Sequence, residues 1–163
     1  MRRGDPASGF TLVELILVMA LLTVIAAFSA PSLARSLRQR NLDGEAARLL
    51  ALTEYGRDEA VSQGVPMTVW VEPKGQRMGV EPKTGYEGDD SRSREFAMNA
   101  DVHFEVDRAV TQNGVAEVVE FAPDGSPSPS SIDVVRLVDR FQSLINVART
   151  SDGWGYEIVK EQR

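Results

Sequence analysis

The stretch that decides the fold is SGFTLVELILVMALLTVIAAFSAP, residues 8–31, which is almost wholly apolar. Between Phe10 and Ala30, its polar residues are Thr11, Glu14, Thr23 and Ser29. As a helix with a rise of about 1.5 Å per residue, this run extends about 31 Å, and the hydrocarbon core of a bilayer is about 30 Å thick. The sequence therefore predicts a helix long enough to cross a membrane.

Glu14 is the residue that fits this helix least well. A carboxylate costs about 2.5–3.5 kcal/mol at the centre of a bilayer and less near the interface. Two readings of Glu14 follow from this chemistry. The side chain lies near the lipid head groups and reaches water, or it meets a cation within an assembly.

A cleaved secretory signal is the first alternative to a membrane anchor. The first nine residues, MRRGDPASG, are polar and basic, as such a signal requires. Its apolar stretch, however, is usually about 7–15 residues long and ends in a small-x-small cleavage site. Here Phe28 stands where a small residue is needed, and Pro31 follows the only candidate bond, after Ala30. We therefore expect this run to be retained.

The charges that flank the run favour one orientation. Arg2 and Arg3 precede it, offset by Asp5, and three arginines follow it, at Arg35, Arg38 and Arg40. By the positive-inside bias alone, the downstream side faces the cytoplasm.

Beyond Pro31 the apolar residues recur at steps of three and four, which predicts that the helix continues to Gly64 and Pro66. The predicted buried stripe is Leu42, Ala46, Leu49, Thr53, Gly56 and Ala60, widened by Leu50 and Val61. From Val65 the period changes to two. The predicted strands are 67–72, 76–81, 95–98, 102–106, 115–121, 132–138, 144–149 and 154–159. We expect an α+β fold, in which a long N-terminal helix packs on a C-terminal antiparallel β-sheet domain.

Composition and spacing argue against most catalytic sites. The chain has a formal net charge of −6 and no cysteine, so disulfides, thiolate catalysis and cysteine-bound metals are excluded. Asp89 and Asp90 are adjacent, whereas calcium loops space their acidic ligands. The single histidine, His103, lies in a predicted strand with no nucleophile pattern around it. We expect no catalytic residue, no cofactor and no metal, and therefore no enzyme.

Nucleic-acid binding needs exposed clusters of arginine and lysine. The dense basic groups are Arg35, Arg38 and Arg40 beside the apolar run, and the pair Arg92 and Arg94. In a chain of net charge −6 these give little reason to expect a nucleic-acid partner.

Residues Gly9-Phe10-Thr11-Leu12-Val13-Glu14 resemble the processing motif of type IV prepilins and pseudopilins. The resemblance implies that a prepilin peptidase cleaves between Gly9 and Phe10 and methylates the new Phe10 amine. It also implies that Glu14 pairs with the N-terminal amine of a neighbouring subunit during filament assembly. Pro31 stands where the family commonly has a proline that kinks or loosens the helix.

A second resemblance lies in the predicted β domain. The stretch Glu120-Phe-Ala-Pro-Asp-Gly-Ser126 is similar to a signature of H-type minor pseudopilins, the GspH/FimT-like domain. The helix exit, Ala60-Val-Ser-Gln-Gly-Val-Pro-Met-Thr-Val69, is similar to the same family's passage into its first strand.

Together these resemblances imply a pilin-like subunit of four segments. Residues 1–9 are a cleaved leader, 10–30 a transmembrane helix, 31–63 its periplasmic amphipathic continuation, and 64–163 a periplasmic β-rich domain. The N-terminus is then cytoplasmic, against the charge bias, in a single-pass protein of the inner membrane.

The implied function is that of a minor pseudopilin near the tip of a type II secretion pseudopilus. The implied partners are the prepilin peptidase, other major and minor pseudopilins, and the secretin or secreted cargo. A minor pilin of a type IV pilus is the alternative within the family. A bitopic membrane sensor or enzyme is the alternative from another class.

Overall fold

The computed structural model describes residues 11–86, 92–106 and 114–160. The chain divides into two compact units, Met1–Leu37 and Arg38–Arg163. An apolar helical segment lies in the first unit, and a helix packed on antiparallel sheets makes up the second. The predicted α+β fold class is confirmed.

Helix α1 runs from Leu12 to Gln63. It ends at Gly64, whose φ of 66° is a conformation that glycine adopts without a side-chain clash. The Gly64 amide donates to the carbonyl of Ala60 at 3.0 Å, which satisfies one of the last free carbonyls of the helix. Pro66 follows and cannot continue the helix.

In the second unit, α1 buries the stripe that the sequence predicted. Leu42, Ala46, Leu49, Thr53, Gly56 and Ala60 are all buried. Two residues differ from expectation. Leu52 is buried as well, whereas Val61 is 54% exposed. Val61 lies about 100° around the helix from Ala60, outside the stripe of α1 that packs on the sheets.

Eight strands follow the helix within the described residues, with ends shifted by at most two residues from the predicted ones. They are β1 (Met67–Glu72), β2 (Arg77–Pro82), β3 (Arg94–Ala97), β4 (Val102–Val106), β5 (Ala116–Phe121), β6 (Val134–Asp139), β7 (Leu144–Arg149) and β8 (Tyr156–Val159).

These strands form two four-stranded antiparallel sheets, a division that the predicted antiparallel β-sheet domain left open. The first sheet has the order β3-β2-β1-β5, and the second has the order β4-β6-β7-β8. Strand β5 follows β4 in the chain but pairs with β1 in the other sheet. Alternation of apolar and polar residues cannot reveal this crossover, because it reports which face of a strand is buried and not which strand is its neighbour.

One hydrophobic core joins the helix to both sheets. Gly56 marks the closest approach of the helix to the first sheet. A Cβ atom at Gly56 would lie 3.0 Å from Cγ2 of Val69 and 3.1 Å from Cγ2 of Val80. Val69 and Val80 are direct partners across β1 and β2, so the helix rests on the centre of this sheet.

A register shift in β5 gives this strand an unusual burial pattern. Val69 of β1 pairs with Val119, and Trp70 pairs with Glu117, so Val118 has no partner residue on β1. Both Val118 and Val119 are buried. Such a bulge lets consecutive residues both enter the core, which simple alternation does not allow.

Asp139, the last residue of β6, is a buried acidic residue. It is 4% exposed, and its Oδ1 accepts hydrogen bonds from the amides of Phe141 and Ser143, both at 2.8 Å. Its carboxylate therefore organises the turn between β6 and β7. Aspartate commonly bonds to backbone amides of its own turn.

Two glycine substitutions test this packing in opposite directions. A Cβ at Gly79 would lie 2.6 Å from Trp70 and 2.7 Å from the carbonyl oxygen of Arg94, whereas a Cβ at Gly44 meets nothing within 4 Å. We expect Gly79→Ala to lower the free energy of unfolding by about 1–3 kcal/mol, since backbone and ring must shift. We expect Gly44→Ala to raise it by about 0.5–1 kcal/mol through helix propensity.

Urea unfolding of the full chain in detergent micelles, followed by tryptophan fluorescence, measures both changes. Equal stabilities of Gly79→Ala and the wild type would contradict the described packing of Trp70 over β2.

Candidate assembly site in the first helical turn

The first turn of α1 is capped by its own sequence. Thr11 directly precedes the first helical residue, and its Oγ1 accepts a hydrogen bond from the amide of Glu14 at 3.2 Å. The spacing Thr-x-x-Glu is that of a capping box, and an acidic residue in the first turn also interacts favourably with the helix dipole. The structure shows the Thr11 half of this pattern, and the sequence reasoning missed this capping role of Thr11 although residues 11–14 carry the spacing.

The side chains of residues 11–29 are all exposed in the described chain. The segment Leu12–Ser29 has a mean hydropathy of 2.5, and its length and composition suffice to cross a membrane. Because apolar side chains are exposed on every face of this segment, it needs lipid or other helices around it.

Within this apolar segment, Glu14 differs from the other polar residues. The hydroxyl of Thr23 donates to the carbonyl of Ala20 at 2.8 Å, and the hydroxyl of Thr11 accepts from the backbone. The backbone thus satisfies both hydroxyls inside the helix. Among the residues that the structure describes, the carboxylate of Glu14 has no hydrogen-bond or ion-pair partner.

This arrangement has a clear chemical consequence. A carboxylate surrounded by hydrocarbon is costly when alone and tolerable when it is paired with a cation. Glu14 is exposed on the helix and is therefore reachable by a group from another molecule. The site can accept an ammonium or guanidinium group.

Of the other residues singled out with Glu14, namely Gly9, Phe10 and Pro31, the structure describes only the backbone of Pro31. Gly9 and Phe10 lie outside the described residues. The backbone of α1 is helical through Pro31, within the range Leu12–Gln63.

In the second unit, a buried carboxylate fastens a turn to the helix. Glu45 is 6% exposed, and both of its carboxylate oxygens accept from Nη1 of Arg48, at 3.2 and 3.1 Å. Its Oε1 also accepts from the amide of Asn99 at 3.2 Å. The sequence did not single out Glu45, since an acidic residue among helical apolar positions gives no sign of its distant amide partner.

A second carboxylate ties the far end of α1 to the segment before β3. Glu59 accepts hydrogen bonds from Gln63 at 2.9 Å and from Arg92 at 2.8 Å. These bonds, first that of Gln63 and then that of Arg92, hold the pKa of the Glu59 carboxyl at about 2, below its ordinary value of 4.5. The charged form is therefore stabilised in the folded chain.

The residues considered for metal binding or catalysis come together nowhere in the described chain. Asp89 and Asp90 fall in a segment that is not described. Among the described residues, no group of three or more histidine, aspartate or glutamate side chains is placed to hold a metal ion. His103 lies in β4, as predicted, with its Nε2 3.9 Å from Oε1 of Glu105.

The basic residues considered for nucleic-acid binding are partly engaged within the fold. Arg92 forms an ion pair with Glu59, and the guanidinium of Arg94 lies 5.7 Å from the centre of the Tyr55 ring. Arg40 is exposed. The side chains of Arg35 and Arg38 are not described.

Two family models match this chain. The model of the prokaryotic N-terminal methylation motif matches residues 6–30. The model of the type II transport protein GspH matches residues 45–151, which is more than half of the chain. No curated protein sequence gives a significant match.

Two solved structures share the fold at low sequence identity. The minor pseudopilin EpsH from the type 2 secretion system of Vibrio cholerae is 13% identical, with a TM-score of 0.54, over 74% of this chain and 97% of that one. The type IV minor pilin FimU of Pseudomonas aeruginosa is 16% identical, with a TM-score of 0.53, over 77% of this chain and 91% of that one. These likenesses confirm the pilin-like architecture.

The Glu59 ion pair makes stability depend on pH in a definite direction. Because the pKa of Glu59 is lower in the folded chain than in the unfolded one, its contribution is complete above about pH 4.5 and is lost as the pH falls through about 2. We expect Glu59→Gln to lower the free energy of unfolding by about 1–2 kcal/mol at pH 7, and the deficit to shrink toward zero near pH 2.

Urea unfolding of the full chain at several pH values measures this difference. Glu54→Gln, an exposed change on the same helix, is the matched control and should remain within about 0.5 kcal/mol of the wild type. A Glu59→Gln deficit of equal size at pH 2 and pH 7 would contradict the assignment.

Proposed function

This chain belongs to the family of the type II transport protein GspH, and from this premise we propose that it is a minor pseudopilin of a type II secretion system. Its role is assembly near the tip of the periplasmic pseudopilus, and it performs no catalysis. The observation that carries the proposal is the carboxylate of Glu14, which has no partner in the described chain although it lies in an apolar helix that opens with a methylation motif.

The proposal begins with processing of the N-terminus. A prepilin peptidase cleaves between Gly9 and Phe10 and methylates the new amine of Phe10. The match of the methylation motif to residues 6–30 supports this step. Cleavage makes Glu14 the fifth residue of the mature chain and leaves the apolar helix as the anchor of the subunit.

Assembly then depends on the pairing of unlike charges between subunits. Each mature subunit carries one ammonium group at Phe10 and one carboxylate at Glu14. The carboxylate of one subunit pairs with the amine of the next, which removes the cost of an isolated charge in hydrocarbon. A buried polar pair also fixes the register of neighbouring helices. Pro31 loosens the helix, so that the anchor adjusts to its neighbours.

Residues 10–30 cross the inner membrane once, with the N-terminus in the cytoplasm, where the leader 1–9 is removed. Residues 31–63 continue the helix into the periplasm and carry the β-rich domain 64–163. Partners are the other major and minor pseudopilins, with the secretin or secreted cargo as further contacts of the domain.

A type IV pilus is the second candidate setting. The likeness to the minor pilin FimU is as good as the likeness to EpsH, with TM-scores of 0.53 and 0.54. Deletion of the gene separates the two. Loss of exoprotein release supports the secretion pseudopilus, and loss of twitching with normal release supports the pilus.

The mass of the mature protein tests the processing step. We expect protein purified from membranes of its own host to begin at a methylated Phe10, as measured by intact mass and N-terminal sequencing. Gly9→Leu should retain the leader, because a bulky side chain blocks the peptidase. A wild-type chain that still begins at Met1 in cells with an active prepilin peptidase would overturn the proposed processing.

The charge of Glu14 tests the assembly step. We expect Glu14→Gln to be inserted and processed normally but to lose at least tenfold in filament incorporation, since an amide cannot form an ion pair. Thr23→Val is the matched control in the same helix, because the Thr23 hydroxyl is satisfied by its own backbone. Incorporation is measured by immunoblotting of sheared filaments, and normal incorporation of Glu14→Gln would refute the pairing.

A further inference from the structure

Among the residues that the structure describes, strand β3 forms an unpaired edge of the first sheet. This strand pairs with β2 on one side and ends the order β3-β2-β1-β5, and all four of its residues, Arg94–Ala97, are exposed. An edge strand presents a row of backbone groups that another extended chain is able to pair with.

The phase of the ladder shows which backbone groups face outward. The amide of Met98 donates to the carbonyl of Gln76 at 2.8 Å, so Met98 points toward β2. The direction of the backbone groups alternates along a strand. The amides and carbonyls of Phe96 and Arg94 therefore face β2, and those of Glu95 and Ala97 face away from it. The carbonyl of Ala97 is met by Nη1 of Arg48 at 3.5 Å, which agrees with this direction.

Beside this edge lies an apolar groove between β3 and α1. Its volume is about 210 Å³, and it is lined by Arg48, Ala51, Leu52, Tyr55, Arg94 and Phe96. The guanidinium of Arg48 lies 6.0 Å from the centre of the Phe96 ring, so the groove has carbon walls and a cationic rim. It suits one apolar side chain next to one negative charge.

The charges at the edge favour an acidic partner. Glu95 is held by Arg77 at 2.7 Å, and Arg48 is held by Glu45 at 3.1 Å. Arg94 takes part in none of the described ion pairs, and its guanidinium lies over the ring of Tyr55. A carboxylate from a bound segment therefore has a cation beside β3 to meet.

We propose that the β3 edge binds an extended segment of another polypeptide by strand addition. The segment pairs its backbone with Glu95 and with the amide of Ala97, whose carbonyl already accepts from Arg48. It places an apolar side chain in the groove and sets a carboxylate beside Arg94. In this mode, backbone bonds supply affinity and the side-chain pockets supply specificity. The inference holds for a secretion pseudopilus and for a pilus alike.

A second copy of this chain fits the edge less well. Its own β3 carries one carboxylate, Glu95, which is already paired with Arg77, a cation that also contacts Glu72. Two copies also each carry a formal net charge of −6 and repel at low salt. The occupant is therefore a different polypeptide with a free acidic residue in an extended segment.

The side-chain part of the proposal is tested with two fluorescent peptides and the full chain in detergent micelles. The acidic probe is acetyl-Thr-Leu-Thr-Glu-Thr-Val-Thr-amide, in which Leu, Glu and Val share one face when extended. The second probe has Lys in place of Glu. We expect fluorescence anisotropy to show at least tenfold tighter binding of the acidic probe, and Arg94→Glu to reverse that preference.

The backbone part is tested at Ala97. Ala97→Pro removes the outward amide while sparing the bonds to β2, and proline is tolerated on edge strands. We expect it to weaken binding of the acidic probe at least tenfold, with the near-ultraviolet circular dichroism unchanged. Ala97→Gly keeps the amide and is the matched control, with binding equal to the wild type.

Three outcomes would overturn the proposal. They are no binding of either probe up to about 1 mM, equal binding by Ala97→Pro and Ala97→Gly, and equal affinity for the acidic and basic probes. A concentration-dependent dimer that Ala97→Pro dissociates would instead assign this edge to a second copy.

Discussion

The close approach of α1 to the first sheet is the contact on which the second unit depends. Gly56 has no side chain, so the helix backbone is able to rest on Val69 and Val80, the paired residues at the centre of β1 and β2. The core that spreads from this contact reaches both sheets. A larger residue at position 56 would hold the helix away and open a gap along the whole interface, since protein interiors tolerate few voids.

The carboxylates of this chain contribute in different ways because their surroundings differ. Glu45 and Glu59 find partners within the fold, and each fastens a segment near β3 to the helix. Glu14 lies in an apolar segment and has no such partner in the described chain. Glu45 and Glu59 therefore stabilise the folded domain, whereas Glu14 makes the proposed function depend on another subunit.

The β3 region gathers several of these features. The turn before β4 is fixed through Glu45 and Asn99, and the segment leading into β3 is fixed through Arg92 and Glu59. Both attachments hold the strand in place while its outer edge stays open in the described structure. A strand that is held at both ends loses little further entropy when a partner binds, and preorganisation of this kind favours affinity.

Local periodicity and motif determined much of this protein in advance. The apolar run, the helical stripe from Leu42 to Ala60 and the eight strands follow from side-chain patterns that act over a few residues. Only tertiary structure decided the division into two sheets, the burial of Glu45 and Asp139, and the open edge at β3. Those features depend on pairings between residues far apart in the chain. A period of two or 3.6 residues indicates which face of an element is buried, and it does not indicate which distant residues that face contacts.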